Sequence, residues 1–184
     1  MKHKNVVCLY PYQQELKTVG FLPPIGLEYV ASAIEDIVES VRIIDMRHEK
    51  KPLSSFLDKN TDLVLVSHNW DVEEEFVKGI INSIPENITI VVGGRYATER
   101  VNELLAEIPR IDGIVRGDGE EIAREIVQKG FSPDIDGLSF RLNHKIVHNK
   151  NRKLSPVTSD YYPNRKLPSN PYKVPSDGFT PDVQ

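Results

Sequence analysis

Five short apolar runs recur along the chain and predict the strands of a sheet. The runs are continuous and do not alternate with polar residues, which is typical of strands buried on both faces of a parallel sheet. We therefore expect a five-stranded parallel sheet. Its strands cover Asn5–Tyr10, Val41–Asp45, Asp62–Ser67, Ile88–Val92 and Gly113–Val115.

Between these runs, apolar residues recur at helical spacing. The predicted helices are Pro24–Glu39, Asp71–Ile84, Thr98–Ile108 and Glu120–Lys129, with a short, weaker one at Leu53–Lys59. The alternation of strands and helices predicts an α/β fold with a doubly wound sheet and right-handed crossovers. A flavodoxin-like strand order, 2-1-3-4-5, follows for five strands, with a ligand expected at the carboxyl ends near the switch point.

Changes in composition and periodicity divide the chain into three predicted parts. Residues 1–130 form the α/β domain, and residues 131–153 add a hairpin with strands at Gly137–Arg141 and Lys145–Asn149. Residues 154–184 are rich in proline and lack periodicity, so we expect an arm or linker that packs poorly or lies along the surface. No helix stop or cap precedes the last residue, and we expect the chain to be a domain of a longer protein.

Composition narrows the classes of function. The net charge is −4 and no block of Lys and Arg stands out, which argues against a nucleic-acid partner. No apolar run approaches the roughly 18 residues that span a bilayer, and no signal peptide begins the chain, so we expect a cytoplasmic protein without a membrane partner. Cys8 is the single cysteine. An internal disulfide is excluded, and an iron–sulfur site built from this chain alone is disfavoured.

Four segments follow the predicted strands and are candidates for a ligand site. The first is the loop from Tyr10 to Gly26, which is longer than the usual two to six or so residues of a βα connection. The others are Ser67–Trp70, Gly93–Tyr96 and Arg116–Glu120. Glycine in these segments would let the backbone approach a large ligand, and the helix that follows the last segment would offer free N–H groups. Tight-turn geometry alone is the alternative explanation of the glycines.

Common catalytic and nucleotide-binding motifs are missing. The sequence contains no G-x-G-x-x-G fingerprint, no P-loop and no H-E-x-x-H motif or similar metal-binding pattern. His68 follows the third strand and is either a ligand or proton donor, or a polar residue at the edge of a cleft. We therefore assign no catalytic residue and no metal ligand.

Four motifs follow one another along the chain: Pro23–Ala31, Val41–Asp45, Val91–Gly94 and Val115–Glu121. In this order and at these separations, they resemble the N-terminal domain of cobalamin-dependent radical-SAM proteins. That family includes B12-dependent methyltransferases and the anaerobic magnesium-protoporphyrin IX monomethyl ester oxidative cyclases. The resemblance covers roughly Asn5 to Arg141.

The resemblance implies that cobalamin lies across the carboxyl ends of the strands, with its nucleotide tail inserted beside the sheet. It also implies that the arm leads to a radical-SAM domain of the same polypeptide. The residues that it places at the cobalamin site are Tyr10, Ile25, Gly26, Ser67, His68, Asn69, Gly93, Gly94, Arg95, Tyr96, Arg116, Gly117, Asp118, Gly119 and Glu120.

Two departures from related proteins limit what this chain can do. The D-x-H-x-x-G motif, whose histidine ligates cobalt in other B12 proteins, is absent after the first strand. The C-x-x-x-C-x-x-C motif is also absent, so a [4Fe-4S] cluster and SAM would belong to the missing portion of the enzyme. We expect this chain alone not to be catalytic.

Three functional hypotheses remain open. In the first, the chain is the cobalamin-binding module of a B12-dependent radical-SAM enzyme that performs methyl transfer or oxidative cyclisation. In the second, it is a degenerate B12-type domain that serves as a docking or substrate-recognition module without cofactor, which bulky side chains filling the cleft would favour. In the third, it is a free-standing α/β enzyme with His68 as acid or base.

Overall fold

A computed structural model describes residues 1–13, 22–143, 145–153 and 161–169, together with Tyr172. Seven strands form one sheet in the order β2-β1-β3-β4-β5-β6-β7. The first five are parallel to one another and the last two are antiparallel to their neighbours. The strands are β1 (Asn5–Tyr10), β2 (Ser40–Asp45), β3 (Leu63–Ser67), β4 (Thr89–Gly93), β5 (Gly113–Val115), β6 (Leu138–Leu142) and β7 (Lys145–His148).

The expectation of a five-stranded sheet is wrong, because the hairpin continues the sheet beyond β5. Gly113 pairs with Phe140 and Val115 pairs with Leu138 in antiparallel register. Phe140 and Leu138 are buried against the helix that follows β5, so their apolar side chains hold the hairpin in the sheet. His144, in the predicted hairpin turn, lies outside the described residues.

Within the described residues, five α-helices connect the parallel strands or follow them. Several boundaries differ from the sequence prediction, and two of these differences arise at residues with positive φ. Glu73, with φ 57°, delays the second helix to Glu74, and Gly94, with φ 106°, allows a helix to begin at Arg95. The helices are α1 (Ile25–Ile34), α2 (Glu74–Ser83), α3 (Arg95–Glu99), α4 (Val101–Glu107) and α5 (Glu120–Lys129).

The sheet separates two apolar cores. One face is covered by α2, α3 and α4 and is called here the α2–α4 face; its core includes Val64, Ile90 and Val92. The other is covered by α1 and α5 and is called the α1–α5 face; its core includes Leu65 and Val91. No helix in the described ranges is both long enough and apolar enough to cross a membrane.

The described part of the proline-rich arm runs along the outer edge of β2. The Ile43 N–H donates to the Leu167 carbonyl and the Ser169 N–H donates to the Ile43 carbonyl, both at 3.0 Å, which makes a single bridge of a parallel strand. Further along, the Tyr172 hydroxyl donates to Asp45 at 2.7 Å. The prediction that the arm is poorly packed also concerns residues 154–160 and 173–184, which lie outside the described part.

Candidate functional site

A cavity of about 420 Å³ opens at the carboxyl ends of β3, β4 and β5, on the α1–α5 face. Its size falls within the range of small-molecule sites, roughly 300–1,000 Å³. Segments from four parts of the chain line it: the start of α1, the end of β3, the β4–α3 junction, and the end of β5 with the start of α5. The site therefore lies at the sheet edge where open α/β sheets bind ligands.

The cavity has two layers because β3 and β4 run side by side in register. Ser67 pairs with Gly93 at the strand ends, and Leu65 pairs with Val91 two residues earlier. Side chains two residues apart point to the same face, so the Leu65–Val91 rung lies roughly 6–7 Å deeper than the Ser67–Gly93 rung. The upper layer is called here the rim and the lower layer the floor.

The floor is apolar. Helices supply its walls one turn below their N-termini, with Val30 in α1 and Ala123 in α5, and the end of β5 supplies Val115. Together with Leu65 and Val91, these side chains make a lining without a hydrogen-bonding group.

The rim is built from glycines and short polar side chains that hold each other. A Cβ on Gly94 would lie 2.6 Å from Asn69 Oδ1 and 2.8 Å from the His68 carbonyl oxygen, so only glycine fits there. Asn69 Oδ1 accepts from the Arg95 N–H at 3.0 Å, and Asn69 Nδ2 donates to Ser67 Oγ at 2.8 Å. The loop after β3 is thereby fixed to the start of α3.

Thr98 connects the two loops on the other side of the rim. Its hydroxyl donates to the Gly94 carbonyl at 2.9 Å and accepts from the Gly117 N–H at 3.2 Å. Gly117 has φ 84°, and Gly119 precedes α5 as its N-cap and offers no capping side chain. The first N–H groups of α5 lie beside the cavity and are able to donate to a ligand.

Acidic side chains outnumber basic ones at the rim. Glu99, Asp118 and Glu120 line the cavity, whereas Arg95 is the basic residue among the lining residues that the structure describes. Arg95 Nε donates to Glu99 at 3.0 Å, which leaves the carboxylates of Asp118 and Glu120 as acceptors on the α5 side. The rim suits a ligand with many N–H donors more than a polyanion.

Part of the sequence-predicted site comes together at this cavity. The lining residues that the sequence predicted are Gly26, Ser67, Asn69, Gly93, Gly94, Arg95, Gly117, Asp118, Gly119 and Glu120. Tyr10, Ile25, His68, Tyr96 and Arg116 are absent from the lining. Residues 14–21 of the predicted first loop lie outside the described chain.

His68 is fully buried behind the rim, on the α2–α4 face. Its Nδ1 lies 3.0 Å from the Tyr12 hydroxyl, and its ring lies 4.7 Å from that of Tyr96 between centroids. Burial lowers the pKa of His68 to about 4, with smaller opposing effects of Glu74, which raises it, and Lys78, which lowers it. The imidazole is therefore neutral at neutral pH and faces no part of the cavity described here.

Tyr12 uses its hydroxyl to hold the loop after β3. The oxygen accepts from the N–H groups of Asn69 at 2.9 Å and Trp70 at 2.8 Å, and the hydroxyl is 3.1 Å from the Trp70 carbonyl. Because Asn69 lines the rim, Tyr12 supports the cavity from the opposite face of the sheet without lining it. Burial raises the pKa of Tyr12 to about 12, so the hydroxyl keeps its proton.

The remaining predicted residues have structural contacts elsewhere. The Tyr10 ring packs 4.5 Å from the Arg47 guanidinium, and Tyr96 is buried in the α2–α4 core. Arg116 donates to Asn151 Oδ1 at 2.6 Å and to the Asn149 carbonyl, which fixes the chain after β7 to the end of β5.

Sequence reasoning missed the whole floor and part of the rim. The strand residues among those missed lie within two places of strand ends that the sequence predicted to within one residue, so counting back from those ends could have found them. The lining residues that were missed are Leu27, Val30, Leu65, Val66, Val91, Thr98, Glu99, Val115 and Ala123.

Fold and site together define an α/β domain with a ligand-sized cavity at the carboxyl edge of its sheet. The family model described as "B12 binding domain" matches residues 16–127. The chain belongs to this family of B12-binding domains, whose cofactor is cobalamin.

Curated relatives are longer than this chain. It is 32% identical over 165 residues to an uncharacterized methyltransferase of Pyrococcus horikoshii, covering 82% of this chain and 35% of the relative. It is 24% identical over 139 residues to the anaerobic magnesium-protoporphyrin IX monomethyl ester cyclase of Synechocystis sp., covering 68% of this chain and 28% of the relative. The chain thus spans about a third of these proteins.

Solved structures share the fold. The radical S-adenosylmethionine methyltransferase TsrM from Kitasatospora setae, with cobalamin and a [4Fe-4S] cluster bound, superposes with a TM-score of 0.66 at 21% identity, over 88% of this chain and 31% of that one. The cobalamin-dependent S-adenosylmethionine radical enzyme OxsB, with aqua-cobalamin bound, gives a TM-score of 0.65 at 18% identity, over 83% and 23%.

The residues present fit cobalamin at the cavity but supply no cobalt ligand there. Glycines leave the rim free of bulk, and a Cβ on Gly26 would meet no atom within 4 Å. Within the described ranges, no histidine or cysteine side chain lines the cavity, since His68 and Cys8 are buried in the cores. No group of three or more His, Cys, Asp or Glu side chains in these ranges could hold a metal ion.

Proposed function

We propose that this chain is the cobalamin-holding module of a longer B12-dependent radical-SAM enzyme. The observation that carries the proposal is the cavity at the carboxyl edge, with a glycine-lined rim above an apolar floor, in a chain that belongs to the B12-binding domain family. When bound, cobalamin would supply the cobalt chemistry of the enzyme, while the protein binds and orients it.

The cavity accommodates one end of cobalamin rather than the whole molecule. The flat corrin ring would lie over the rim, and the nucleotide tail would enter the cavity beside β3 and β4. The carboxylates of Asp118 and Glu120 would accept hydrogen bonds from amide groups at the corrin edge. The first N–H groups of α5 would donate to an amide oxygen or to the phosphate of the tail.

The activity of the whole protein would depend on a second portion. This chain has a single cysteine, so the [4Fe-4S] cluster and SAM would belong to the radical-SAM domain of the same polypeptide. The names of the curated relatives support methyl transfer or oxidative cyclisation as the reaction. The arm would lead to that domain, since its described end is fastened at Asp45, on the same edge of the sheet as the cavity.

The cofactor-free alternative would be favoured by bulky side chains that fill the cleft. Tyr96 packs into the α2–α4 core, and Trp70, which is 48% exposed, is not part of the cavity lining. Arg95 lies at the rim, and its side chain is 76% exposed and paired with Glu99. This arrangement leaves room for a ligand and supports the cofactor-binding function.

A pair of glycine variants tests the proposal. Gly26 in α1 and Gly79 in α2 are both helical, and a Cβ on either would meet no atom within 4 Å. Phenylalanine is therefore compatible with the backbone at both positions, and it favours helix more than glycine does. Gly26→Phe would fill the mouth of the cavity, whereas Gly79→Phe would change a surface away from it.

Hydroxocobalamin is the probe, under anaerobic and reducing conditions, with the visible spectrum read after gel filtration. We expect the parent chain and Gly79→Phe to retain a near-equimolar chromophore. Gly26→Phe should weaken binding by at least about tenfold, because the ring occupies the volume of the tail. Gly93→Val is a second blocking variant, as its Cβ would sit 3.7 Å from the Val115 Cβ without collision. A folded parent chain that elutes colourless, or blocking variants that bind like the parent, would contradict the proposal.

A further inference from the structure

We propose that the floor of the cavity selects the lower base of the cobamide, favouring an apolar-edged base such as dimethylbenzimidazole over adenine. This inference rests on the proposed function, because it assumes that the nucleotide tail enters the cavity. It follows because the floor offers no hydrogen-bonding group to the base.

The floor offers no side-chain partner to a polar base. Leu65 and Val91 form its deeper rung, and Val30, Val115 and Ala123 form its walls. These side chains are hydrocarbon throughout. A base that reaches this depth meets only apolar surface on the sides that these residues form.

The floor offers no backbone partner either. β3 is paired on both sides, with β1 and β4, and β4 is paired on both sides, with β3 and β5. The backbone N–H and C=O groups of central strands point along the sheet to their neighbours, not toward its faces. Leu65 and Val91 therefore present side chains to the ligand and keep their peptide groups in the ladder.

The available acceptors of the rim, the carboxylates of Asp118 and Glu120, lie above the floor, and other polar side chains of the rim hold each other. Thr98 bridges Gly94 and Gly117, and Asn69 holds Ser67 and the start of α3. To reach them, an adenine amine on the floor would have to rise by about one rung, roughly 6–7 Å. This rise would also withdraw the base from the apolar walls.

The two bases differ in what they leave unpaired. Dimethylbenzimidazole carries two methyl groups at the edge that would reach the floor. Adenine carries an amine with two N–H donors and ring nitrogens that accept. A buried donor without a partner loses the hydrogen bonds it made to water, so we expect cobalamin to bind roughly 10- to 100-fold more tightly than adenylcobamide.

Three corrinoids separate the possible outcomes on the parent chain. The probes are hydroxocobalamin, the corresponding adenylcobamide, and cobinamide, which lacks the nucleotide tail. The expected order of affinity is cobalamin first, with the other two weaker. Equal affinity for cobalamin and adenylcobamide, or for cobalamin and cobinamide, would overturn this inference and leave the proposed function standing. Failure of all three to bind would overturn the proposed function itself.

Hydroxyl substitutions on the floor test the mechanism. Val91→Thr and Ala123→Ser each place a donor and acceptor at floor depth with almost no change of volume. Either should reduce the preference for cobalamin over adenylcobamide by about three- to tenfold, because the adenine amine gains a partner. Val41→Thr is the matched control: Val41 packs on the same α1–α5 core from β2 but is not part of the lining.

The ratio of two affinities within one variant is the readout, since a general loss of stability would lower both affinities alike. An unchanged ratio in both floor variants, or an equal change in Val41→Thr, would overturn the assignment of selectivity to the floor.

Discussion

The two faces of the sheet are covered differently at the carboxyl edge, although the same strands supply both. Val91 and Val92 are neighbours in β4, yet Val91 lines the cavity on the α1–α5 face and Val92 is enclosed in the α2–α4 core. Tyr12 and Tyr96 fill the upper part of the α2–α4 face. The α1–α5 face has glycines at the corresponding height.

The difference arises at the first turns of the helices. α1 and α5 pack together further along their length, where Arg124 donates to the Ala33 carbonyl at 2.7 Å. Near their N-termini, Gly26 and Gly119 carry no side chain, and a Cβ on Gly119 would lie 3.1 Å from Val30 Cγ2. The cavity is therefore a consequence of residue choice at two helix starts and not of loose packing along the face.

The largest expected effect that would sharpen this comparison is a pH dependence of stability, which arises at the closed α2–α4 face. Burial holds the pKa of His68 at about 4, against 6.5 for an ordinary histidine. The unfolded chain takes up a proton below pH 6.5 and the folded chain does not, so stability falls as the pH is lowered from 6.5 to about 4. The expected loss is roughly 3 kcal/mol, measured by urea unfolding across this range.

His68→Asn isolates this contribution, since an amide cannot titrate. Burial also lowers the pKa of His3, so the variant should keep a smaller pH dependence of the same sign. The stability difference between parent and variant should therefore shrink as the pH falls. A constant difference over the range would show that His68 does not titrate as its burial requires.

A smaller effect compares the two faces directly through neighbouring valines. Val92→Ala should cost about 2 kcal/mol, because it opens a hole in a closed core, whereas Val91→Ala should cost about 1 kcal/mol, since its side chain already borders open volume. Urea unfolding of the two variants without corrinoid measures the difference. Equal costs would mean that the α1–α5 face closes over its cavity in solution.

The sequence predicted the strands well because their signal is local. A short continuous apolar run bounded by turn residues is typical of a buried parallel strand, and the predicted bounds of β1 and β5 agree with the structure. Two features could not be predicted in this way. The left-handed conformation of Glu73 moves the start of α2, and the place of the hairpin in the sheet depends on pairing between Gly113 and Phe140, which are distant in sequence.

The candidate site was partly predictable for the same reason. Glycines and polar residues after strand ends signal the rim, so Gly93, Gly94 and Gly117 to Glu120 were found from sequence. Floor residues such as Leu65 and Val91 look like any buried strand residue. His68 has the position of a site residue, but a strand end has two faces, and only the packing of Tyr12 and Tyr96 determines which one it takes.

The smallest expected effect concerns the outer side of the α1–α5 face, where the arm packs on α1. Glu28 is fully buried and its partner is Arg165 from the arm, which is largely exposed. Burial raises the pKa of Glu28 more than Arg165 lowers it. A carboxyl group whose pKa is raised in the folded state makes the protein less stable as the pH rises from the pKa of the unfolded chain, 4.5, toward the pKa of the folded chain. Glu28→Gln should remove this loss and change stability at neutral pH by less than about 1 kcal/mol.

Arg165→Ala should act in the opposite direction and lower stability at neutral pH, since it leaves the buried carboxylate without its cation. Thermal unfolding of both variants at acidic and neutral pH measures the two effects. If Arg165→Ala leaves stability unchanged at both pH values, the arm does not hold α1 in solution, and only α1 and α5 cover this face.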